Sequence, residues 1–232
     1  MMGLDLQAIG YQISVWVLPV LLAITLHEAA HGWVAFRLGD DTAKRLGRVT
    51  FNPFKHIDPF WTVLLPAVLL ISSGGRIAFG AAKPVPVNFA GLRHPRRDMV
   101  LVAAAGPASN VLMAIVAAAL LHAVEYLSGD LQAWLGQNLF NAVRINVILC
   151  VFNMLPIPPL DGGRVAVGLL PDVLARPLAR LERVGFLIIL GAIFVLPAIG
   201  DYVGVDVNIF RWLVGAPAEY LMHTIFSGLG LL

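Results

Sequence analysis

Apolar residues run along this chain in long blocks separated by short polar stretches. The first block covers about residues 11–38 and is long enough for a helix across a ~30 Å hydrocarbon layer. A shorter one, about 59–73, is marginal for a crossing. Further spans are predicted at about 98–124, 140–155, 184–199 and 209–231. The fourth major block ends at Pro156, Pro158 and Pro159. Between 74 and 91, Gly74-Gly75 and the prolines at 84 and 86 sit among small and β-branched residues, which predicts an extended strand or hairpin. The expected fold is an all-α integral membrane protein, a polytopic bundle of five to six transmembrane helices with a short re-entrant helix/β-hairpin element. It is read as one membrane-embedded domain over 1–232, with a catalytic core at about 11–170 and C-terminal helices at about 180–232.

Composition fixes the solvent. Hydrophobic residues make up 59% of 232 positions and charged residues only 13%, with a mean hydropathy of +0.82. Soluble domains carry about 25% charged residues, so a chain this apolar implies a lipid bilayer as partner. The only charge ahead of the first block is Asp5, without the basic stretch of a cleavable signal peptide, so the first helix is read as a retained span. The single cysteine, Cys150, rules out an internal disulfide and a cysteine-based zinc site, and is read as a small buried hydrophobe.

The net charge of +2 hides a segregation. Loops 39–58, 74–97 and 160–183 are basic, whereas 125–137 and 200–208 carry only acidic charge. This is a topology signal rather than a nucleic-acid signal, and it places the first group in the cytoplasm. The N-terminus is then extracytoplasmic and the C-terminus cytoplasmic. Loops 39–58 and 74–97 share a side only if the chain between them descends and climbs back. Non-helical backbone at membrane depth needs protein or a water-filled cavity beside it, so this segment implies a hydrated pocket.

The sharpest chemical feature is His27-Glu28-Ala29-Ala30-His31 inside the first span. Residues four apart share a helix face, so both imidazoles can hold one metal ion, and Glu28 can reach a water activated there. That is the arrangement of a zinc hydrolase. Ionisable groups at membrane depth are costly and are usually paired, hydrated or functional. A catalytic zinc usually takes three protein ligands. His56 and His94 lie in basic loops, and His122 and His223 lie near span ends where interfacial packing is the simpler reading. Asp161 is the better third ligand, since Pro156, Pro158 and Pro159 break the span before it and Gly162-Gly163 follow. Alone, Asp-Gly-Gly is a turn; beside an intramembrane H-E-x-x-H it reads as a ligand, at a matching depth towards the cytoplasmic face.

Taken together, His27-Glu28-x-x-His31 and Asn153-x-x-Pro156-x4-Asp161-Gly162 resemble the site-2 protease family of intramembrane zinc metalloproteases. Gly106-Pro107-Ala108-Ser109-Asn110 is similar to that family's middle-span motif. Asn52-Pro53-Phe54-Lys55-His56-Ile57-Asp58 resembles a loop of its compact prokaryotic members, and no PDZ or CBS domain is evident. The resemblance implies one catalytic Zn2+ held by His27, His31 and Asp161, with Glu28 as general base and Asn153 assisting substrate or oxyanion. Gly106 and Asn110 are read as close-packing and backbone-bonding residues near the site, with Pro156 and Gly162 alongside. It further implies regulated intramembrane proteolysis of single-span membrane proteins in a prokaryotic plasma membrane. Strand addition along Phe79–Phe89 would hold the unwound substrate. The rival is a multispan metal transporter with a His/Asp site, against which stand Glu28 and the lack of polar residues lining a path through the other spans.

Overall fold

A computed structural model describes residues 6–72, 80 and 82–232. Four of its helices are long and apolar enough to cross a membrane: α1 (Leu6–Arg37), α4 (Pro95–Val124), α5 (Gly129–Asn153) and α8 (Glu182–Val203). Between them lie a single turn, α2 (Thr42–Arg45), and α3 (59–72), which is too short for a full crossing. Two short helices, α6 (Asp161–Leu169) and α7 (Asp172–Arg180), precede α8, and α9 (209–228) closes the chain. Arg211, Glu219 and His223 make α9 less apolar than the other spans. The protein is a polytopic all-α membrane protein, and among the described residues there is no strand.

The helices begin and end where local chemistry dictates. Asp58 caps α3, its carboxylate accepting from the amides of Phe60 and Trp61 at 2.9 Å each, and Pro59 fits the first position because its missing N–H would be unpaired there. Pro95 opens α4 in the same way. Gly204, at φ +74°, ends α8 in the left-handed region open to glycine. α5 begins well before the predicted 140, because Asp130, Gln132 and Gln137 mask the apolar signal without breaking the helix.

α4 is the central helix and packs on α1, α5 and α6. Its small residues Ala114, Ala117 and Ala118 meet Val143 and Val147 of α5 and Ala218, Ile225 and Phe226 of α9 in the main core. Close approach through small side chains is how helices associate when lipid is as apolar as their interface. Large apolar side chains such as Ile13, Leu112 and Leu187 stay exposed on the outer faces of the spans, where lipid is their solvent. Cys150 is buried, in keeping with its reading as a small hydrophobe.

The predicted hairpin falls partly outside the described residues, at 73–79 and 81. Residues 82–88 form neither helix nor strand, and their hydrogen bonds go to side chains and a loop. The Lys83 amide donates to the His56 carbonyl (2.9 Å), so the chain that leaves through α3 has returned to the same end of the bundle by residue 83. The Asn88 amide donates to Asp40 (2.7 Å), and the Arg93 amide to Leu38 O (3.0 Å). Burial pushes the Asp40 carboxyl up, but bonds from Thr42 and Asn88 and the nearby Arg45 hold it below the usual carboxylate range. The anchor it provides is therefore complete at neutral pH and lost only as pH falls through that lowered value. Arg96 ties the same end to the α6–α7 connection through the carbonyls of Gly168 and Leu170 and an ion pair with Asp172 (2.8 Å). The three basic loops thus meet at one end.

Candidate metal centre

α1 carries His27 and His31 on the face turned towards α4, and both are buried. Each ring is fixed by its Nδ1. That of His27 lies 2.6 Å from Asn110 Oδ1, and that of His31 lies 2.7 Å from the Val102 carbonyl. A carbonyl can only accept. Asn110 spends its NH2 on Asn146 Oδ1 (2.8 Å) and Ala23 O (3.4 Å), which leaves its oxygen as the acceptor for His27. Both histidines therefore carry a proton on Nδ1, and in the neutral ring a bare Nε2 faces inward, as in metal-binding histidines.

Asp161, the first residue of α6, completes the cluster from the other half of the chain. Its Oδ2 lies 3.3 Å from each Nε2, the two Nε2 atoms are 3.0 Å apart, and Oδ2 is buried without a hydrogen-bond donor. With both rings neutral, three lone-pair atoms converge, an arrangement that is repulsive without a cation. Their spacing is close to the edge of a tetrahedron with metal bonds of ~2.0–2.1 Å, roughly 3.4 Å. Among the described residues this is the one His/Cys/Asp/Glu group with metal-binding geometry. The residues fit a three-ligand metal ion.

Two glycines make the approach possible. A Cβ on Gly106 would strike His31 Nε2 and lie 2.6 and 2.7 Å from Cε1 and Nε2 of His27. A Cβ on Gly162 would overlap the Met154 carbonyl, so the start of α6 could not fold back under the end of α5. Pro156 is exposed in the connection between those helices.

The cluster opens into a cavity of about 430 Å3 whose walls include Glu28, Trp61, Val85, Phe152, Asn153 and Phe186. Glu28 is half-buried, and its Oε2 accepts from the Val85 amide at 2.7 Å. Asn153 donates to Leu149 O in its own helix (3.0 Å), which employs one of its two N–H groups. The other histidines are engaged elsewhere: His56 with Thr50 O, His122 with Leu229 O and His223 with Ser227, while His94 precedes α4. Burial holds His56 below the usual imidazole range, so it is neutral at physiological pH.

Asn146 and the Val102 carbonyl complete the site, and sequence reasoning missed both. Asn146, one of several asparagines among the apolar residues of α5, is the available signal for the first; a backbone carbonyl leaves none. Asn110→Ala is expected to lower metal affinity about 10- to 100-fold, the usual effect of losing the partner that orients a ligand, as measured by competition with a graded chelator.

A membrane-embedded helical bundle with a buried two-histidine, one-carboxylate centre beside a glutamate has the make-up of a membrane metallopeptidase. Residues 15–143 and 123–196 match peptidase family M50, and the chain belongs to that family. Three curated relatives share the name "Putative zinc metalloprotease". YwhC of Bacillus subtilis is 40% identical over 81% of this chain and 82% of its own length. Rip2 of Mycolicibacterium smegmatis is 31% identical over 82% and 71%. Rip2 of Mycobacterium tuberculosis (strain H37Rv) is 30% identical over 86% and 74%. No solved structure matches the chain.

Proposed function

We propose that this protein is a site-2-type zinc metallopeptidase that hydrolyses peptide bonds in or beside the transmembrane segments of single-span membrane proteins. The observation that carries this reading is the convergence of His27, His31 and Asp161 on one point of a cavity that Glu28 also lines. The family and the names of its relatives support zinc as the ion.

When bound, zinc would make water a stronger acid and polarise a peptide carbonyl. The chain's own residues do the rest. Glu28 takes the proton from the attacking water and hands it to the leaving amine. Asn153 has a second N–H with which to meet the developing oxyanion. Apolar walls such as Trp61, Phe152 and Phe186 keep bulk water from the reacting bond. A helical substrate must unwind before its carbonyl is accessible, and the freed polar groups need partners. Residues 82–88, which line the cavity through Ala82, Pro84, Val85 and Val87, are suited to pair with it by strand addition. Clustering of the basic loops at one end supports a site near the cytoplasmic face and an extracytoplasmic N-terminus, and the bacterial relatives support a prokaryotic plasma membrane.

A transporter reading draws on the asparagines of α5, where Asn138, Asn141 and Asn146 are buried. This is more polar lining than the apolar spans led us to expect. Their amides, however, bond Trp134 O, Val15 O and Ala142 O, which makes them interhelical and intrahelical fasteners. The test is purification in detergent, metal analysis, and incubation with single-span proteins. About one zinc per chain is expected, with cleavage abolished by chelation and restored by zinc. Tightly held zinc with no cleavage of any membrane substrate would favour transport instead.

A further inference from the structure

Arg48 is a buried cation, 8% exposed, and among the described residues it has no carboxylate within ion-pairing distance. A charge so placed is costly unless something compensates it. Its Nη2 instead donates to two successive carbonyls of the 82–88 segment, Lys83 O at 2.7 Å and Pro84 O at 3.4 Å. The Pro84 carbonyl belongs to the same peptide group as the Val85 amide, which donates to Glu28 at 2.7 Å. One peptide unit therefore lies between a guanidinium at its oxygen and a carboxylate at its N–H. A cation at the carbonyl polarises the peptide and strengthens the bond its N–H donates.

We infer that Arg48 is a positioning residue for the peptidase reaction, acting on Glu28 through the Pro84–Val85 peptide. The inference rests on the assignment of Glu28 as the base. α1 turns Glu28 away from the two ligands by one helical position, and among the described residues only the Val85 amide hydrogen-bonds its side chain. That amide fixes the carboxylate, and Arg48 holds the amide in register. Two flanking prolines limit the torsional freedom of the segment, and Val85 itself is buried against Gly32 of α1. The 82–88 segment thus sets the carboxylate's direction as well as lining the cavity.

The test compares Arg48→Lys, which keeps the cation, with Arg48→Gln, which keeps a hydrogen-bond donor but no charge. Cleavage of a single-span substrate is measured as kcat and KM, zinc content is measured alongside, and amide exchange is followed over 82–88. Arg48→Gln is expected to lower kcat on the order of 10-fold, the scale of a small misplacement of a reacting group, with zinc content unchanged. Arg48→Lys is expected to recover most of that loss. Exchange at Lys83, Val85, Val87 and Asn88 should quicken in Arg48→Gln and not in Arg48→Lys. Replacing the Val85 amide by an ester removes the N–H that donates to Glu28 and weakens the Pro84 carbonyl that Arg48 donates to, so both ends of the link are lost and Arg48→Gln should then add little further loss. Equal activity and exchange in the Lys and Gln variants, or full additivity with the ester, would overturn the inference. Exchange is read without any cleavage, so a wild-type protein that never cleaves would refute the peptidase reading and leave the contact itself separately tested.

Discussion

Glu28→Gln is expected to reduce peptide-bond hydrolysis by roughly 10²- to 10⁴-fold, the range general acid–base catalysis contributes, while the protein keeps its zinc and its fold. The separation of effects follows from the geometry. The three convergent atoms come from His27, His31 and Asp161, and Glu28 is not among them. Glutamine has the same shape, and its side-chain oxygen still accepts from the Val85 amide, but it cannot take a proton from water at neutral pH. Metal analysis and cleavage assayed on one preparation check the point. Loss of zinc together with activity would mean that the carboxylate is a ligand, and unchanged cleavage would remove it from the mechanism.

The second large effect is expected from a residue with no side chain. Gly106→Ala should weaken zinc binding at least about 10-fold and abolish activity at limiting zinc, although Gly106 offers no ligand atom. The new methyl would lie within 2.7 Å of both imidazoles. Such contacts force a shift, and neither ring is free to turn, since Asn110 and the Val102 carbonyl hold the Nδ1 atoms. The displacement falls on the Nε2 atoms that define the site. Chelator competition and thermal unfolding of the zinc-free protein separate the causes: affinity should fall while zinc-free stability changes little. Full zinc affinity in the alanine variant would show that α1 and α4 can part without cost.

The contrast between Glu28 and Gly106 also indicates how much can be read ahead of the fold. His27, Glu28 and His31 are legible because helical periodicity alone places them together, and an ionisable triad in an apolar span is too costly to be idle. Asp161 is legible because prolines announce a broken span, and here the break does deliver a carboxylate to the histidines. The basic loops foretell that 39–58 and 74–97 share one end, and the Lys83–His56 bond joins them there. Gly106 reads from sequence as close packing; that its neighbours are the metal-facing rings is a tertiary fact. Asn110 reads as a backbone-bonding residue, whereas its shortest contact is with His27. Asn146, the Val102 carbonyl and Arg48 act through groups distant in sequence, and neither spacing nor composition records such pairings.

The centre is divided between two distant parts of the chain, with histidines on the first helix and the aspartate at the start of α6. A ribosome releases these parts in order, and early segments enter the membrane while later ones are still being made. Until α5 has been inserted and its proline break has emerged, the nascent chain holds a pair of imidazoles with no carboxylate to close the site. Two neutral nitrogens retain zinc far less well than three ligands that include an anion. Metal acquisition is therefore expected late in biogenesis, and a truncated chain stalled before residue 161 is expected to carry the H-E-x-x-H sequence without a complete centre.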